Sequence, residues 1–153
     1  MNKLKEVVYY LLYYYPYADE LSKTRTTKMV YLADWFSAIK YKSQITEIEW
    51  YYDHFGPYVD DIYDAALHDN EILIEQSFSY FGNRKEIFRL KEDFIPVFEL
   101  LNNHNMTILN TVIEETKYLN WNEFIKLIYS TYPIEANKKY TYLNLVELAE
   151  DKI

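Results

Sequence analysis

The chain has no cysteine and only two glycines and four prolines in 153 residues. Without cysteine there can be no disulfide, no thiolate zinc site and no cysteine nucleophile, and the composition suits a reducing compartment. The two glycines, Gly56 and Gly82, stand alone, so neither a Walker-type phosphate loop nor a dinucleotide-binding glycine motif can be built. No apolar run approaches the roughly 20 residues that cross a bilayer. The stretch from Val7 to Tyr15 is mostly tyrosine and no small-residue cleavage site follows it, unlike a secretory signal. These absences lead us to expect a soluble cytoplasmic protein.

Basic residues are also missing from one region. The formal net charge is −8, from 16 Lys and Arg against 24 Asp and Glu. Residues 1–46 carry seven basic and four acidic side chains, and residues 84–153 carry nine and eleven. Residues 47–83 hold nine acids and no Lys or Arg. Such a charge distribution repels phosphate backbones, which argues against nucleic acid and anionic membranes as partners. The acids Glu47, Glu49, Asp53, Asp60, Asp61, Asp64, Asp69, Glu71 and Glu75 lack a sequence-local counter-ion. They form either a solvated face or a docking surface for a positively charged protein.

What is abundant is tyrosine, 18 residues, in part the usage expected of an AT-rich coding sequence. Half of the chain is apolar or aromatic, enough for one core. We expect a single domain over residues 1–153, mainly helical α+β with a small antiparallel sheet or β-hairpin, and a C-terminal helix or arm over about 134–153.

A first helix is read over residues 2–17, with Leu4, Val8, Leu11 and Tyr15 on one stripe and Tyr9, Tyr13 and Tyr17 on another. The second stripe is either core or a partner surface, since tyrosine is enriched at interfaces. Ser22, Thr24 and Thr26 are candidate caps for a second helix over about 24–42, whose core stripe is Met29, Leu32, Phe36 and Ile39. Residues 47–54 alternate as a strand, with Ile48, Trp50, Tyr52 and His54 on one side and Glu47, Glu49, Tyr51 and Asp53 on the other. Pro57 is read as the first residue of a third helix, with Asp60 and Asp61 in its first turn. Strands over 72–80 and 86–90 flank Gly82-Asn83, a pair suited to a type II′ turn. Helices follow over about 93–103, 106–118 and 121–132, the last capped by Asn120 and Glu123 and stopped by Pro133.

Asp60, Asp64 and His68 recur at helical spacing near Asp53 and His54, but acids on the wet side of an amphipathic helix give the same pattern. His54, His68 and His104 have no nucleophile motif beside them. Lys117, Lys126, Lys138 and Lys139 are too scattered for a DNA footprint. We therefore expect no catalytic residue, no metal and no cofactor. An enzyme would gain ground if bound metal were found, or if Asp53 and His54 lined a pocket.

Two stretches carry a further signal, KTRTTKMVYLADW at 23–35 and IEWYYDHFGPYVDDIYDAAL at 48–67. Together they resemble the two hallmarks of the Panacea, or SocA-like, antitoxin domain family, which also occurs in phage-associated proteins. The matching positions are Lys28, Tyr31, Trp50, Gly56, Pro57 and Tyr63, and the resemblance extends over about residues 5–132. It implies an antitoxin that neutralises a cognate toxin by direct protein–protein binding over the toxin's active or substrate site. As alternatives, the resemblance also suggests a proteolytic adaptor, and a phage-encoded inhibitor of a host protein would use similar surfaces. The motif residues are read as scaffold: Gly56 permits a turn, and Trp50 with Tyr63 packs strand on helix. Asp60, Asp61 and Asp64 and the Tyr9 and Tyr13 face are the candidate partner contacts. A homo-oligomer is compatible with these features.

Overall fold

The computed structural model describes residues 3–78 and 82–151. Its helices are α1 (Lys3–Tyr14), α2 (Lys23–Tyr41), α3 (Asp61–Leu67), α4 (Asn103–Thr116), α5 (Trp121–Tyr129), α6 (Tyr132–Glu135) and α7 (Leu145–Asp151). Its strands are β1 (Trp50–Asp53), β2 (Gly56–Pro57), β3 (Ile72–Phe78), β4 (Arg84–Leu90) and β5 (Thr141–Leu143). They form two small antiparallel sheets, one in the order β2-β1-β5 and the other a β3-β4 hairpin. The fold is α+β and mainly helical, as expected.

Helix α2 is the axis of the molecule, packed by α1, α3, α4, α7 and β4. Ser22 caps it by accepting from the Arg25 backbone N–H at 3.1 Å. The sequence predicts a core stripe of Met29, Leu32, Phe36 and Ile39, but every residue from Arg25 to Trp35 is buried. Ile39, the last member of the predicted stripe, is exposed instead. The difference arises because Arg25, Thr27, Lys28, Asp34 and Ser37 are enclosed with partners of their own, while the Thr26 hydroxyl is buried without one. Arg25 donates to the carbonyls of Thr116 and Leu119, at 2.9 and 3.0 Å, at the C-terminal end of α4, where a cation suits the helix dipole.

Asp34, fully buried in α2, organises the segment that follows. Its carboxylate accepts from the backbone N–H groups of Ile45 (2.9 Å) and Thr46 (3.0 Å), the Thr46 hydroxyl (2.5 Å) and the Trp50 indole N–H (2.8 Å). Burial pushes its carboxyl up to about 6, while the donors from Thr46, Trp50 and Ile45 pull the other way. At neutral pH it is thus an ionised acceptor around which residues 45–50 fold back onto α2.

Four local expectations are corrected. Pro57 does not open a helix: it pairs with Tyr52 in β2, and α3 begins at Asp61 with Asp60 as its N-cap residue. His54 is exposed rather than on the buried side of the strand, because β1 ends at Asp53 and turns there. Residues 93–102 are not helical: Pro96 lacks an amide donor, and the buried Glu6 carboxylate takes the N–H groups of Leu100 (2.9 Å) and Leu101 (3.3 Å). Phe94 and Phe98 instead anchor that segment on Tyr9 and Tyr10 of α1, with ring centroids 5.1 and 5.2 Å apart. Finally, the register pairs Phe78 with Arg84, which leaves five intervening residues, so Gly82-Asn83 is not a two-residue turn. Residues 79–81 of that connection lie outside the described residues.

The capping box of Asn120 and Glu123 is present at α5. The helix expected over 121–132 ends at Tyr129 with Ser130 as its C-cap, and Pro133, expected to stop it, sits instead in the first turn of the separate helix α6. The C-terminal segment, read as a helix or an arm, supplies β5 to the sheet and α7 against α2, with Leu145 and Ala149 buried.

Replacing Asp34 by alanine orphans its donors. Asp34→Ala should lower unfolding free energy by about 3 kcal/mol, measured by urea denaturation. Thr46→Val, which leaves the carboxylate its other partners, should cost about 1 kcal/mol.

Candidate functional site

The residues that Asp34 fastens lead directly into β1, whose alternation divides two environments. Trp50 and Tyr52 point inward, and Trp50 packs edge-on against Tyr31 at 5.5 Å. The Tyr31 hydroxyl in turn shares a 2.8 Å hydrogen bond with the Thr131 hydroxyl. Tyr51 and Asp53 point outward. Across the sheet Tyr51 is paired with Tyr142 of β5, and their rings meet edge-to-face at 5.0 Å.

The return of the chain depends on Gly56, which has φ +100°, a conformation that side-chain-bearing residues avoid. A Cβ there would meet only ordinary contacts with the Tyr129 ring at 3.7 Å, so backbone conformation and not space requires the glycine. Lys28, 1% exposed, reaches from α2 beneath this hairpin and donates to the Pro57 carbonyl at 3.3 Å. Burial pulls its amine down to about 8, and the Asp53 carboxylate partly restores it.

Outside the hairpin lies an open groove of about 670 Å³. Five carboxylates line it, those of Glu47, Glu49, Asp53, Asp60 and Asp61, together with Tyr51, Tyr58, Val59 and Tyr142. Among the described residues none of these five acids takes part in an ion pair. Other acids of the same basic-free segment are paired through the fold: Asp69 lies 3.9 Å from Lys5, and Glu75 is 2.8 Å from Arg89. No Lys or Arg is among the residues that line the groove, and the cations that reach its lining residues are engaged elsewhere. Lys28 is enclosed beneath it, and Lys23, 6.0 Å from the Tyr58 ring, is already paired with Glu86 at 3.8 Å. Burial and the nearby Asp60, Asp64 and Glu86 push the Tyr58 phenol up to about 12, so it stays a neutral donor in the physiological range.

The candidate contacts fall in different places. Asp60 and Asp61 lie on the groove wall, and Asp64 is exposed farther along α3. Tyr9 is 5% exposed, and its hydroxyl donates to Asp69 at 2.6 Å, an enclosed position that offers a partner almost no surface. Tyr13 is 44% exposed and lies beside a separate crease of about 250 Å³ lined by Leu12, Leu21, Phe88 and Phe94. Tyr63 does not back Trp50. Its ring stacks 6.4 Å from Phe88 and its hydroxyl donates to Glu86 at 3.1 Å. The groove residues that sequence reasoning did not single out are Tyr58, Val59 and Tyr142. The alternation over 47–53 had already placed Glu47, Glu49, Tyr51 and Asp53 on one side, and only the pairing with β5 adds Tyr142.

Among the described residues no group of three or more His, Asp or Glu side chains is arranged to hold a metal ion. No helix among them is long and apolar enough to cross a membrane.

Lys28 gives this scaffold a pH signature. Its folded-state pKa of about 8 lies below the ordinary 10.5, so between these values the unfolded chain binds more protons and stability gains as pH rises. The difference in unfolding free energy between the wild type and Lys28→Met should therefore shift toward the wild type from pH 7 to pH 10, measured by urea denaturation. Parallel pH profiles would contradict this placement of the amine.

No curated protein and no solved structure matches the chain. The model of the family described as "Antitoxin SocA-like, Panacea domain" matches residues 27–133. That span takes in Lys28, Tyr31, the Asp34 anchor, the hairpin with Gly56 and Pro57, and all five groove carboxylates. More than half of the chain is covered by a match that coincides with this framework, and the chain belongs to the SocA-like antitoxin Panacea domain family.

Proposed function

We propose that the protein is an antitoxin that neutralises a cognate toxin in the cytoplasm by direct protein–protein contact, laying its acidic groove over the toxin's active or substrate-binding site. The observation that carries this reading is the groove itself: five carboxylates without ion pairs among the described residues, around the half-buried Tyr51 and Tyr58 and the exposed Tyr142, on a sheet held from beneath by buried polar anchors. A toxin that acts on nucleotides or RNA needs a basic substrate site, and an anionic groove is complementary to one.

In this reading Asp60 and Asp61 touch the toxin from the groove wall and Asp64 extends the contact along α3. Tyr13 offers a second contact on a separate face, while Tyr9 supports it from within. The protein supplies charge and shape and has no catalytic residue. The chain acts as one domain over residues 1–153, with its tail part of the binding unit.

Co-expression with the product of the adjacent gene tests this. Growth should be rescued, the two proteins should co-purify, and the toxin level should stay unchanged. The triple variant Asp60→Asn, Asp61→Asn, Asp64→Asn should weaken the complex by about tenfold at moderate salt, since exposed charge pairs are each worth about 0.2–1 kcal/mol. Neither rescue nor a complex would reject the reading, and rescue through a falling toxin level would replace it with a proteolytic adaptor.

A further inference from the structure

The fold repeatedly places a tyrosine ring beside a carboxylate and closes the arrangement with a cation. Lys5 lies 5.5 Å from the Tyr9 ring and 3.9 Å from Asp69, to which the Tyr9 hydroxyl donates. Lys23 lies 4.4 Å from the Tyr63 ring and 3.8 Å from Glu86, which accepts from the Tyr63 hydroxyl. Arg25 lies 6.0 Å from the Tyr15 ring and 3.7 Å from Glu20, which accepts from the Tyr15 hydroxyl at 2.6 Å. Lys117 lies 5.0 Å from the Tyr118 ring and 2.9 Å from Glu114. Each cation gains both the ring quadrupole and the carboxylate charge.

At the outward face of the β2-β1-β5 sheet the same components recur without the cation. Tyr51 and Tyr142 form their edge-to-face pair in the groove beside Glu47, Glu49 and Asp53. Among the described residues no Lys or Arg is within ion-pair distance of these acids or stacked on either ring. Lys28, whose amine feels the Asp53 carboxylate, is buried below and directed at the Pro57 carbonyl.

We infer that this face is a docking site for a basic segment of a partner polypeptide, whose Lys or Arg side chains enter the groove and lie against Tyr51 and Tyr142 while pairing with Glu47, Glu49 and Asp53. The inference rests on the proposed antitoxin role and specifies the chemistry of the surface that its groove receives. Tyr142 has a distinct place in it. The ring is 71% exposed and comes from the tail beyond the stretch that the family model matches. The tail thus contributes directly to the choice of partner.

The test uses the full chain labelled for amide NMR, with hexa-arginine and hexa-lysine as probes. Shift changes should saturate and concentrate in residues 47–61 and 140–143, and affinity should fall steeply from about 50 to about 300 mM salt. Glu47→Gln with Glu49→Gln should weaken binding by about fivefold to tenfold. Tyr142→Ser, a change at an exposed site that leaves the charge untouched, should weaken it by about threefold, the loss of one cation–ring contact. Glu92→Gln with Glu99→Gln, which removes equal charge elsewhere, should change nothing. Shifts spread over every acidic surface, wild-type affinity in the Tyr142 variant, or equally tight binding of spermine at the same amides would overturn the inference. Because these measurements do not involve the toxin, rescue with no groove binding would discard this surface and keep the antitoxin role, whereas groove binding without rescue would do the reverse.

Discussion

The Asp34 carboxylate is the interaction on which the rest of the arrangement depends. A charge with no exposure inside the central helix is costly unless hydrogen bonds replace its water, and here the chain between α2 and β1 supplies them from Ile45, Thr46 and Trp50. These bonds fix where β1 begins and set Trp50 into the core. By the alternation of the strand they also turn Tyr51 and Asp53 outward. Lys28, six residues earlier on the same helix, completes the attachment by holding the far side of the hairpin at the Pro57 carbonyl. The groove is therefore built before any partner arrives, and a partner need not supply the free energy of ordering it.

The same logic explains how a region without a basic residue can fold. Like charges gathered in one segment oppose compaction. The fold relieves part of this by bringing Lys5 to Asp69 and Arg89 to Glu75 from distant parts of the chain. The acids around the groove form no ion pair among the described residues, Asp53 alone sensing the buried Lys28 amine from a distance, and they stay in contact with solvent. Their mutual repulsion is a cost in the free protein that a basic surface would remove, which gives electrostatics a role in both the rate and the selectivity of association. Membership of an antitoxin family and this distribution of charge are mutually consistent, since neutralisation by contact asks for a complementary surface and no chemistry.

Features set by local rules were legible in the sequence. The Asn120 and Glu123 capping box, the β3-β4 strands and the outward side of residues 47–53 follow from neighbouring residues alone. So did the family, through the Lys28 and Gly56-Pro57 motifs. What could not be read depends on partners far away in the chain. Residues 93–102 have the composition of a helix, yet Glu6 claims two of their amides and the tyrosines of α1 claim their phenylalanines. Pro57 is a sound helix opener by local rules, but its pairing with Tyr52 puts it in a strand. Tyr9 and Tyr13 share a stripe, and only the packing of Phe94 and Asp69 separates an enclosed ring from an exposed one. Tyr142 enters the groove solely because β5 pairs with β1.

The central claim is that buried polar anchors hold the groove ready in the free protein. Native-state amide hydrogen exchange at Ile45 and Thr46 tests it most directly, because both N–H groups are bound by Asp34 within a stretch that contains no regular secondary structure. The account predicts protection at these two amides approaching that of the middle of α2, so that they exchange only through global unfolding. Exchange at rates typical of an open loop, with α2 still protected, would show that the anchor does not hold and would contradict the account.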